Sequence, residues 1–211
     1  MTRLRKTLAA ALAPLAAILP AAAETPLVPY EVLARPAENV EIRRYGPRLV
    51  AETQADGSGD AFRRLFRYID GANQAGGEIA MTAPVETSPA ESAPSQKIAM
   101  TAPVETSSSG DRMTMRFFLP EGMTLEDAPR PTDPAVALRE IAPRTEAALT
   151  FSGYYFVSGA LERAPELREA LANSGWTPSG EVTTYFYDPP WTLPWNRRNE
   201  VVVEVAPTPS G

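Results

Sequence analysis

The stretch VEIRRYGPRLVAET, from Val40 to Thr53, carries the pattern from which the fold is predicted. Its first six residues alternate apolar and polar side chains, which is the period of a half-buried β-strand. Gly46 and Pro47 interrupt the alternation, and the residues from Leu49 to Thr53 predict a strand that returns along the first. The stretch is therefore interpreted as two consecutive antiparallel strands.

The apolar period changes from two residues to that of a helix directly after this stretch. Ser58 or Asp60 is the expected N-cap, and Gly71 is the expected end, because glycine adopts the backbone conformation that terminates helices. The apolar stripe of this helix consists of Phe62, Leu65, Phe66 and Ile69.

The second half of the chain repeats this order. A strand from Ala137 to Ile141 is followed by a strand from Ala147 to Val157 and then by a helix with Pro165 in its first turn and Gly175 as its end. Leu167 and Leu171 are its expected inward residues. Four residues recur at a constant offset of 96, which indicates an internal duplication. Arg43, Pro47, Arg48 and Ala51 match Arg139, Pro143, Arg144 and Ala147.

Three further strands are predicted, at residues 113 to 119, 182 to 187 and 200 to 205. Strands outnumber helices, and most connections are short. This order of elements favours an α+β fold, with an antiparallel sheet or distorted barrel covered by two helices.

The ten residues IAMTAPVETS occur twice, at 79 to 88 and at 98 to 107. In each copy the alternate residues Ile, Met, Ala and Val predict a strand with one apolar face, which ends at the proline or lies on a sheet edge. Two such strands joined by a polar loop predict a hairpin. Met81 and Met100 could be thioether ligands of a metal, but no second ligand type accompanies them, so core packing is the favoured interpretation.

The first 23 residues have the features of a secretory signal peptide. Three basic residues precede a short apolar run, and Ala21 to Ala23 supply a small-residue cleavage site. The mature chain is therefore expected to begin at Glu24, to be exported to the periplasm or secreted, and to have no stable membrane insertion. Residues 24 to 211 are expected to form one domain that acts as a monomer.

The composition excludes several functions. Without the first 23 residues the chain has 17 basic and 26 acidic residues, a net charge of −9 that argues against nucleic-acid binding. It has no cysteine, so its folding does not depend on disulfides. It also has no histidine, which excludes histidine-based catalytic triads, histidine zinc sites and a proximal histidine on haem, and no metal site is predicted.

Three motifs together resemble the SOUL/haem-binding protein family: FRYIDGANQ from Phe66, MTAPV from Met81, and YDPPWTLPWNRRNEVVVEV from Tyr187 to Val205. The resemblance covers most of residues 28 to 205. It implies a duplicated strand-helix-strand-strand unit that forms a distorted antiparallel β-barrel flanked by two helices. It also implies non-covalent binding of haem or another tetrapyrrole.

The resemblance implies a binding surface made by the first helix and the loop with the Asp-Pro-Pro motif. Aromatic residues in a proline-rich loop offer a flat apolar surface to a planar ligand, and arginines can pair with its carboxylates. The site residues expected from the resemblance are Phe62, Arg63, Leu65, Phe66, Arg67, Tyr187, Trp191, Trp195 and Arg197, with Ile69 and Leu193 beside them. A helix stripe is more often core, so a ligand is expected at its margin.

Since histidine is missing, haem iron would need an unusual ligand or none. Tyr45, Tyr68 and Tyr187 are candidate ligands because tyrosinate suits ferric iron, but binding by stacking and propionate pairing alone is the simplest hypothesis. The predicted function is that of an exported binding protein rather than an enzyme. The alternatives are an envelope protein-interaction module with a vestigial pocket and a tetrapyrrole-modifying enzyme.

Overall fold

The computed structural model describes residues 25–75, 94–109, 112–153, 157–189 and 191–208. In this part of the chain a large antiparallel sheet is covered by helices. The strands are β1 (Glu31–Ala37), β2 (Val40–Tyr45), β3 (Arg48–Ala55), β4 (Asn73–Gln74), β5 (Val104–Ser109), β6 (Arg112–Phe118), β7 (Arg130–Pro131), β8 (Val136–Ile141), β9 (Arg144–Phe151), β10 (Trp176–Phe186) and β11 (Asn199–Pro207), and the helices are α1 (Ser58–Ile69), α2 (Val157–Leu161) and α3 (Ala164–Leu171).

The internal duplication is confirmed in the bounds of four strands. Strands β2 and β3 begin and end at positions that recur 96 residues later as the bounds of β8 and β9. The strands also pair reciprocally, because β2 lies beside β9 and β3 lies beside β8. Val40 opposes Leu149 in the first pair, and the equivalent residues, Val136 and Thr53, oppose each other in the second. The two repeats are therefore related by an approximate twofold axis.

The expectation that β3 returns along β2 as its hairpin partner is wrong. The two strands are consecutive, but β2 pairs with β1 and β9, whereas β3 pairs with β6 and β8. A two-residue hairpin needs a positive φ at its first central residue. Gly46 is not among the described glycines that have a positive φ. The Gly46-Pro47 connection is therefore a bend that sends the chain into the other half of the sheet.

The described sheet has the strand order β1-β2-β9-β11-β10-β5-β6-β3-β8. At its centre Thr106 on β5 opposes Thr184 on β10, and their hydroxyl oxygens are 2.5 Å apart. The sheet curls on itself, because Tyr45 on β2 and Val50 on β3 pack in one cluster although five strands lie between β2 and β3 in this order. The α+β class is confirmed, with a sheet whose form is compatible with a distorted barrel.

Each half of the sheet has a helix-covered hydrophobic core on its outer face. Helix α1 packs Leu65 and Tyr68 against β3, β6 and β8. In the other half Leu167 and Leu171 of α3 pack against residues of β2, β9 and β11. These two leucines are buried as predicted, and Gly175 has the expected positive φ of 76°.

Several element bounds differ from the sequence prediction. The strand expected from Ala147 to Val157 ends at Phe151, because Gly153 follows with a φ of 135° and Val157 already lies in α2. Strand β1 is not among the strands predicted from the sequence. Its apolar residues are only partly buried, so alternation does not mark it.

Only the second IAMTAPVETS copy lies within the described residues, so the hairpin between the copies stays a prediction. The strand of that copy was predicted to end at Pro103 or to lie on a sheet edge, and both expectations are wrong. It begins directly after the proline, at Val104, and lies between β6 and β10. The preceding residues are tied elsewhere: Ile98 N donates to Ile69 O at 2.8 Å, and Ala102 N donates to Pro26 O at 2.9 Å. Because these bonds lead away from β6 and β10, the ladder starts only after the proline.

Candidate functional site

The inner face of the curled sheet is lined by paired charges. Alternate residues of the strands point to opposite faces, so the side chains between the core residues of β2, β3, β9 and β11 face inward. Arg43, Arg48, Glu52, Glu105, Glu146 and Glu200 are all buried there. The sequence prediction missed this group, because alternation of apolar and charged residues normally indicates a solvated strand face. One feature of the sequence could have revealed it: in several strands, basic and acidic residues occupy the alternate positions between the apolar ones.

Glu200 on β11 is the centre of one part of this network. It is fully buried, and both of its carboxylate oxygens accept from Arg43 on β2, at 2.8 and 3.0 Å. Arg198 Nη2 donates to it at 2.8 Å, and the Tyr187 hydroxyl donates at 2.7 Å. Burial opposes ionisation, but the hydrogen bonds and positive charge of Arg43, with the charge of Arg198, hold the pKa of Glu200 below its usual 4.5.

A second part of the network is a chain of alternating charges across the other strands. Its first links join Arg139 and Arg116 to Glu52, both at 2.7 Å, and Arg116 to Glu105 at 2.6 Å. Arg144 connects Glu105, at 3.5 Å, to Glu146. Arg48 closes the chain at 2.8 Å from Glu146. The buried carboxylates are thus held by arginines from several strands, some of them not adjacent in the sheet.

The predicted site residues of helix α1 lie partly in the core and partly on the surface. Leu65 is fully buried, and Phe62 is half-buried with its ring 5.3 Å from that of Phe117. Phe66 is 45% exposed and stacks on Phe62 with a centroid distance of 6.0 Å. The buried face is formed by Ala61, Leu65, Tyr68 and Ile69. Phe66 therefore lies at the margin of the stripe, where a ligand was expected.

The two predicted arginines of α1 already have partners at the surface. Arg63 forms an ion pair with Asp60 one turn earlier, and Arg67 lies 3.4 Å from Asp133. Both arginine side chains are largely exposed, so these pairs contribute at most about 1 kcal/mol each. Exchanging such a partner for a ligand carboxylate would cost little.

The loop between β10 and β11 exposes the other predicted aromatic residues. Trp191 is 83% exposed, Trp195 is 69% exposed and Leu193 between them is 51% exposed. Tyr187, at the start of the loop, behaves differently: its hydroxyl is bonded to Glu200, and the Arg198 guanidinium carbon lies 4.1 Å from its ring centroid. The apolar surface of this loop is therefore made by the tryptophans and Leu193, without Tyr187.

Hydrogen bonds brace this loop at both ends. Arg198 N donates to the Asp188 carboxylate at 2.6 Å, and Arg197 Nε donates to Thr192 O at 2.7 Å. Gly153 N donates to Pro194 O at 2.9 Å, which ties the loop to the end of β9. The exposed tryptophans thus stand on a pre-ordered backbone, which lowers the entropy lost when a ligand binds.

The predicted site residues lie in three places in the structure. Phe62 and Leu65 pack in the cluster under α1, whereas Tyr187 packs against the interior cluster around Tyr45 and Tyr185. Trp191 and Trp195 stand on the surface of the connecting loop. The prediction that all of these residues line one ligand surface remains a proposal.

The sequence matches the model of a known protein family and the sequences of known proteins. The model of the SOUL heme-binding protein matches residues 25–204, which is most of the chain. The chain belongs to the SOUL heme-binding protein family. Heme-binding protein 1 of Sus scrofa is 27% identical over 144 residues, covering 67% of this chain and 68% of that protein. The mouse (Mus musculus) protein of the same name is 29% identical over 147 residues, covering 67% and 68%.

Solved structures show the same fold at low sequence identity. A hydrolase from Listeria innocua has a TM-score of 0.51 and 13% identity, over 82% of this chain and 94% of that one. Another solved structure of a Listeria innocua hydrolase has a TM-score of 0.52 and 12% identity, over 81% of this chain and 93% of that one. The TM-scores show a shared fold. At such low identity the similarity does not carry an activity from one protein to the other.

Haem ligation by tyrosine is disfavoured at the three tyrosines considered for this SOUL-family chain. Burial, with the charge of Glu146 for Tyr45 and of Glu200 for Tyr187, raises the pKa of both phenols. Burial raises the pKa of Tyr68 to about 12, and its hydroxyl donates to Pro129 O at 2.9 Å. A raised pKa keeps a phenol protonated, whereas iron binds the phenolate.

The thioether alternative receives no support at Met100. This residue is partly buried and packs against the cluster under α1, as a core methionine does. Met81 lies outside the described residues. In the part of the chain that the structure describes, no three or more acidic side chains come together as a candidate metal site.

The tyrosine environments predict a delayed phenolate titration. Tyr45, Tyr68, Tyr185 and Tyr187 all have raised pKa values, so they should stay protonated in the native protein as pH rises past their usual pKa of 10. The unfolded chain releases these protons near pH 10, whereas the folded chain keeps them. The contribution of these tyrosines to the free energy of unfolding is therefore fully present below pH 10 and is lost as the pH rises further. Near-ultraviolet absorbance of native and denatured protein measures this. A native titration in which all seven tyrosines ionise near pH 10 would contradict it.

Proposed function

We propose that this SOUL-family chain is an exported, non-catalytic binding protein for haem, porphyrin or a similar flat hydrophobic molecule. The observation that carries the proposal is the exposure of Trp191 and Trp195 on a braced loop. Large exposed apolar surfaces on soluble proteins usually mark binding sites. Trp191, Leu193 and Trp195 offer the planar and apolar contacts that a tetrapyrrole ring needs, and the family gives the ligand class.

Ligand carboxylates would pair with arginines of α1 and of the tryptophan loop. Arg63 and Arg67 on α1 are exposed and engaged only in surface ion pairs. Arg197 follows the tryptophans, and its Nε already donates to the loop backbone. Binding through stacking and carboxylate pairing needs no protein ligand to iron, so a metal-free porphyrin should bind about as well as haem.

The non-catalytic part of the proposal is supported by the state of the acidic side chains. Histidine and cysteine are missing from the sequence, so acid-base chemistry would depend on carboxylates or tyrosines. The buried carboxylates Glu52, Glu105, Glu146 and Glu200 are all paired with arginine. Prolonged incubation with protoporphyrin should therefore return the porphyrin unchanged in mass, and a new product would overturn this part of the proposal.

Export is supported by the basic, apolar and small-residue pattern of residues 1 to 23. None of the helices in the described residues has the length and apolar composition that a bilayer crossing requires. Mass spectrometry of the protein from a periplasmic extract should give a chain that begins at Glu24. A chain that retains residues 1 to 23 would contradict the expected cleavage.

Titration with haemin and with metal-free protoporphyrin tests the binding proposal. A saturable Soret change is expected for haemin, and the Trp191→Ala/Trp195→Ala variant should bind both ligands roughly 10- to 100-fold more weakly, since each of the two lost aromatic contacts costs about 0.7–1.4 kcal/mol. Leu125→Ala is the matched control, because Leu125 is also an exposed apolar residue, at 44%, but lies in another loop. No saturable change, or equal losses in both variants, would overturn the proposal.

A further inference from the structure

A cavity of about 1190 Å³ lies where the two repeats meet, away from the tryptophan loop. The bends at Gly46-Pro47 and Ala142-Pro143, which are equivalent in the two repeats, form one side of it. The segment 26–31 and the loop 119–124 form the other sides. This volume is slightly larger than that of a typical small-molecule site, which is about 300–1,000 Å³.

Arg48 is a buried wall residue of this cavity with unused hydrogen-bonding capacity. It is 9% exposed, and its Nη2 donates to Glu146 at 2.8 Å. Its Nε and Nη1 are buried and have no hydrogen-bond partner among the described residues. Stacking holds the guanidinium in place, with its carbon 4.2 Å from the Tyr45 ring centroid and 5.2 Å from that of Phe118. A buried donor without a partner costs about 1–3 kcal/mol, so such a site calls for an acceptor.

The buried network of ion pairs beside the cavity carries a net positive charge. The chain of ion pairs that ends at Arg48 contains four arginines, Arg139, Arg116, Arg144 and Arg48, and three glutamates, Glu52, Glu105 and Glu146. One positive charge is therefore uncompensated within this chain of ion pairs. Arg139, at the far end, is 62% exposed and solvated, whereas Arg48 is buried. A carboxylate at Arg48 would supply both the missing acceptor and the missing charge.

The remaining wall decides what the carboxylate would be attached to. Buried apolar side chains from several elements line the cavity: Val28, Tyr45, Leu49, Phe118 and Leu119. At the rim, Glu31 is paired with Arg44 at 3.2 Å, but Glu121 and Glu140 are exposed acidic residues. These acids disfavour a second negative charge near the mouth. The surroundings therefore suit one carboxylate on an apolar body.

We propose that this cavity binds an amphipathic monocarboxylate, with its carboxylate at the unused nitrogens of Arg48 and its apolar body against Phe118 and Leu119. The site is distinct from the tryptophan loop and does not rest on tetrapyrrole binding. It also has a different selectivity, because haem carries two carboxylates, whereas the acidic rim favours a ligand with one.

Calorimetric titration of the purified protein with octanoate, octanol and suberate tests this proposal. Octanol keeps the tail without the carboxylate, and suberate adds a second carboxylate. Octanoate should bind saturably, and the other two should bind at least about tenfold more weakly, which is the effect of one charged hydrogen bond. Absence of octanoate binding, or equal binding of octanol, would overturn the proposal.

Three variants locate the site. Arg48→Lys keeps the charge opposite Glu146 but has one nitrogen in place of three, and it should weaken octanoate binding about tenfold. Leu27→Asp changes an exposed residue at the cavity and should weaken it by repulsion, whereas Glu121→Gln should strengthen it. Leu27 and Glu121 are both exposed, so their variants should fold and still test the site if Arg48→Lys does not fold. Octanoate affinity that none of the three variants changes would overturn the assignment to this cavity, while haemin affinity should be unchanged in all three.

Discussion

Replacing Glu200 by alanine is expected to lower the free energy of unfolding by roughly 3–5 kcal/mol, because it leaves a buried arginine without its counter-ion. Arg43 is 1% exposed and donates twice to this carboxylate. The substitution also removes the acceptor of the Tyr187 hydroxyl and of Arg198. Water cannot replace these bonds at a fully buried position without opening the sheet. Chemical denaturation followed by circular dichroism measures the loss.

An exposed ion pair supplies the matched control for Glu200→Ala. Glu31 pairs with Arg44 at 3.2 Å, but both side chains are more than half exposed. Glu31→Ala should therefore change the free energy of unfolding by less than about 1 kcal/mol. If Glu200→Ala is no more destabilising than Glu31→Ala, the interior network does not have the structural role inferred for it.

The second large effect separates the core residue of α1 from its surface neighbour. Leu65→Ala should lower the free energy of unfolding by about 2–5 kcal/mol, because Leu65 is fully buried among β3 and β6 residues and its truncation leaves a cavity. Phe66→Ala should cost only about 1 kcal/mol, since 45% of that residue is already exposed. The two changes are one residue apart, so helix propensity and position are nearly matched. Denaturant unfolding of both variants measures the difference.

Haemin titration of the same two variants distinguishes ligand contact from stability. If the margin of α1 belongs to the proposed tetrapyrrole surface, Phe66→Ala should weaken binding severalfold, and Leu65→Ala should leave the affinity of the folded protein unchanged. Leu167→Ala in α3 is the control for general destabilisation, because Leu167 is equally buried in the other core. Haemin affinity that follows stability in all three variants would contradict a ligand role for Phe66.

The candidate site was predictable in part. The motifs at residues 66 to 74 and 187 to 205 led to the family and to the tryptophans, and the structure shows these tryptophans exposed. Burial could not be assigned residue by residue, because the predicted apolar stripe of α1 is only partly right: Leu65 and Ile69 are buried, but Phe66 is exposed. Its stripe included Phe66, but the buried face passes through Ala61 and Tyr68. Small and amphipathic residues such as these carry little weight in an apolar pattern.

The interior network could not be predicted from local patterns. Arg43 and Glu200 are 157 residues apart, and each resembles an ordinary solvent-facing residue of an alternating strand. The same holds for Arg48 and Glu146, which are 98 residues apart. Only the curling of the sheet makes their common face an interior, so no window of sequence contains the information that these charges are buried and paired.

The sequence by itself determined most of the elements and the duplication, because strand and helix periods and the offset of 96 are local or repetitive features of the chain. The tertiary structure decided which strands pair and which face is enclosed. Consecutive strands β2 and β3 separate at Gly46-Pro47, and each pairs instead with a strand of the other repeat. That exchange encloses the arginines and glutamates and leaves two nitrogens of Arg48 without a partner in the described chain. Pairing and enclosure depend on contacts between distant residues, whose free energies a local pattern does not contain.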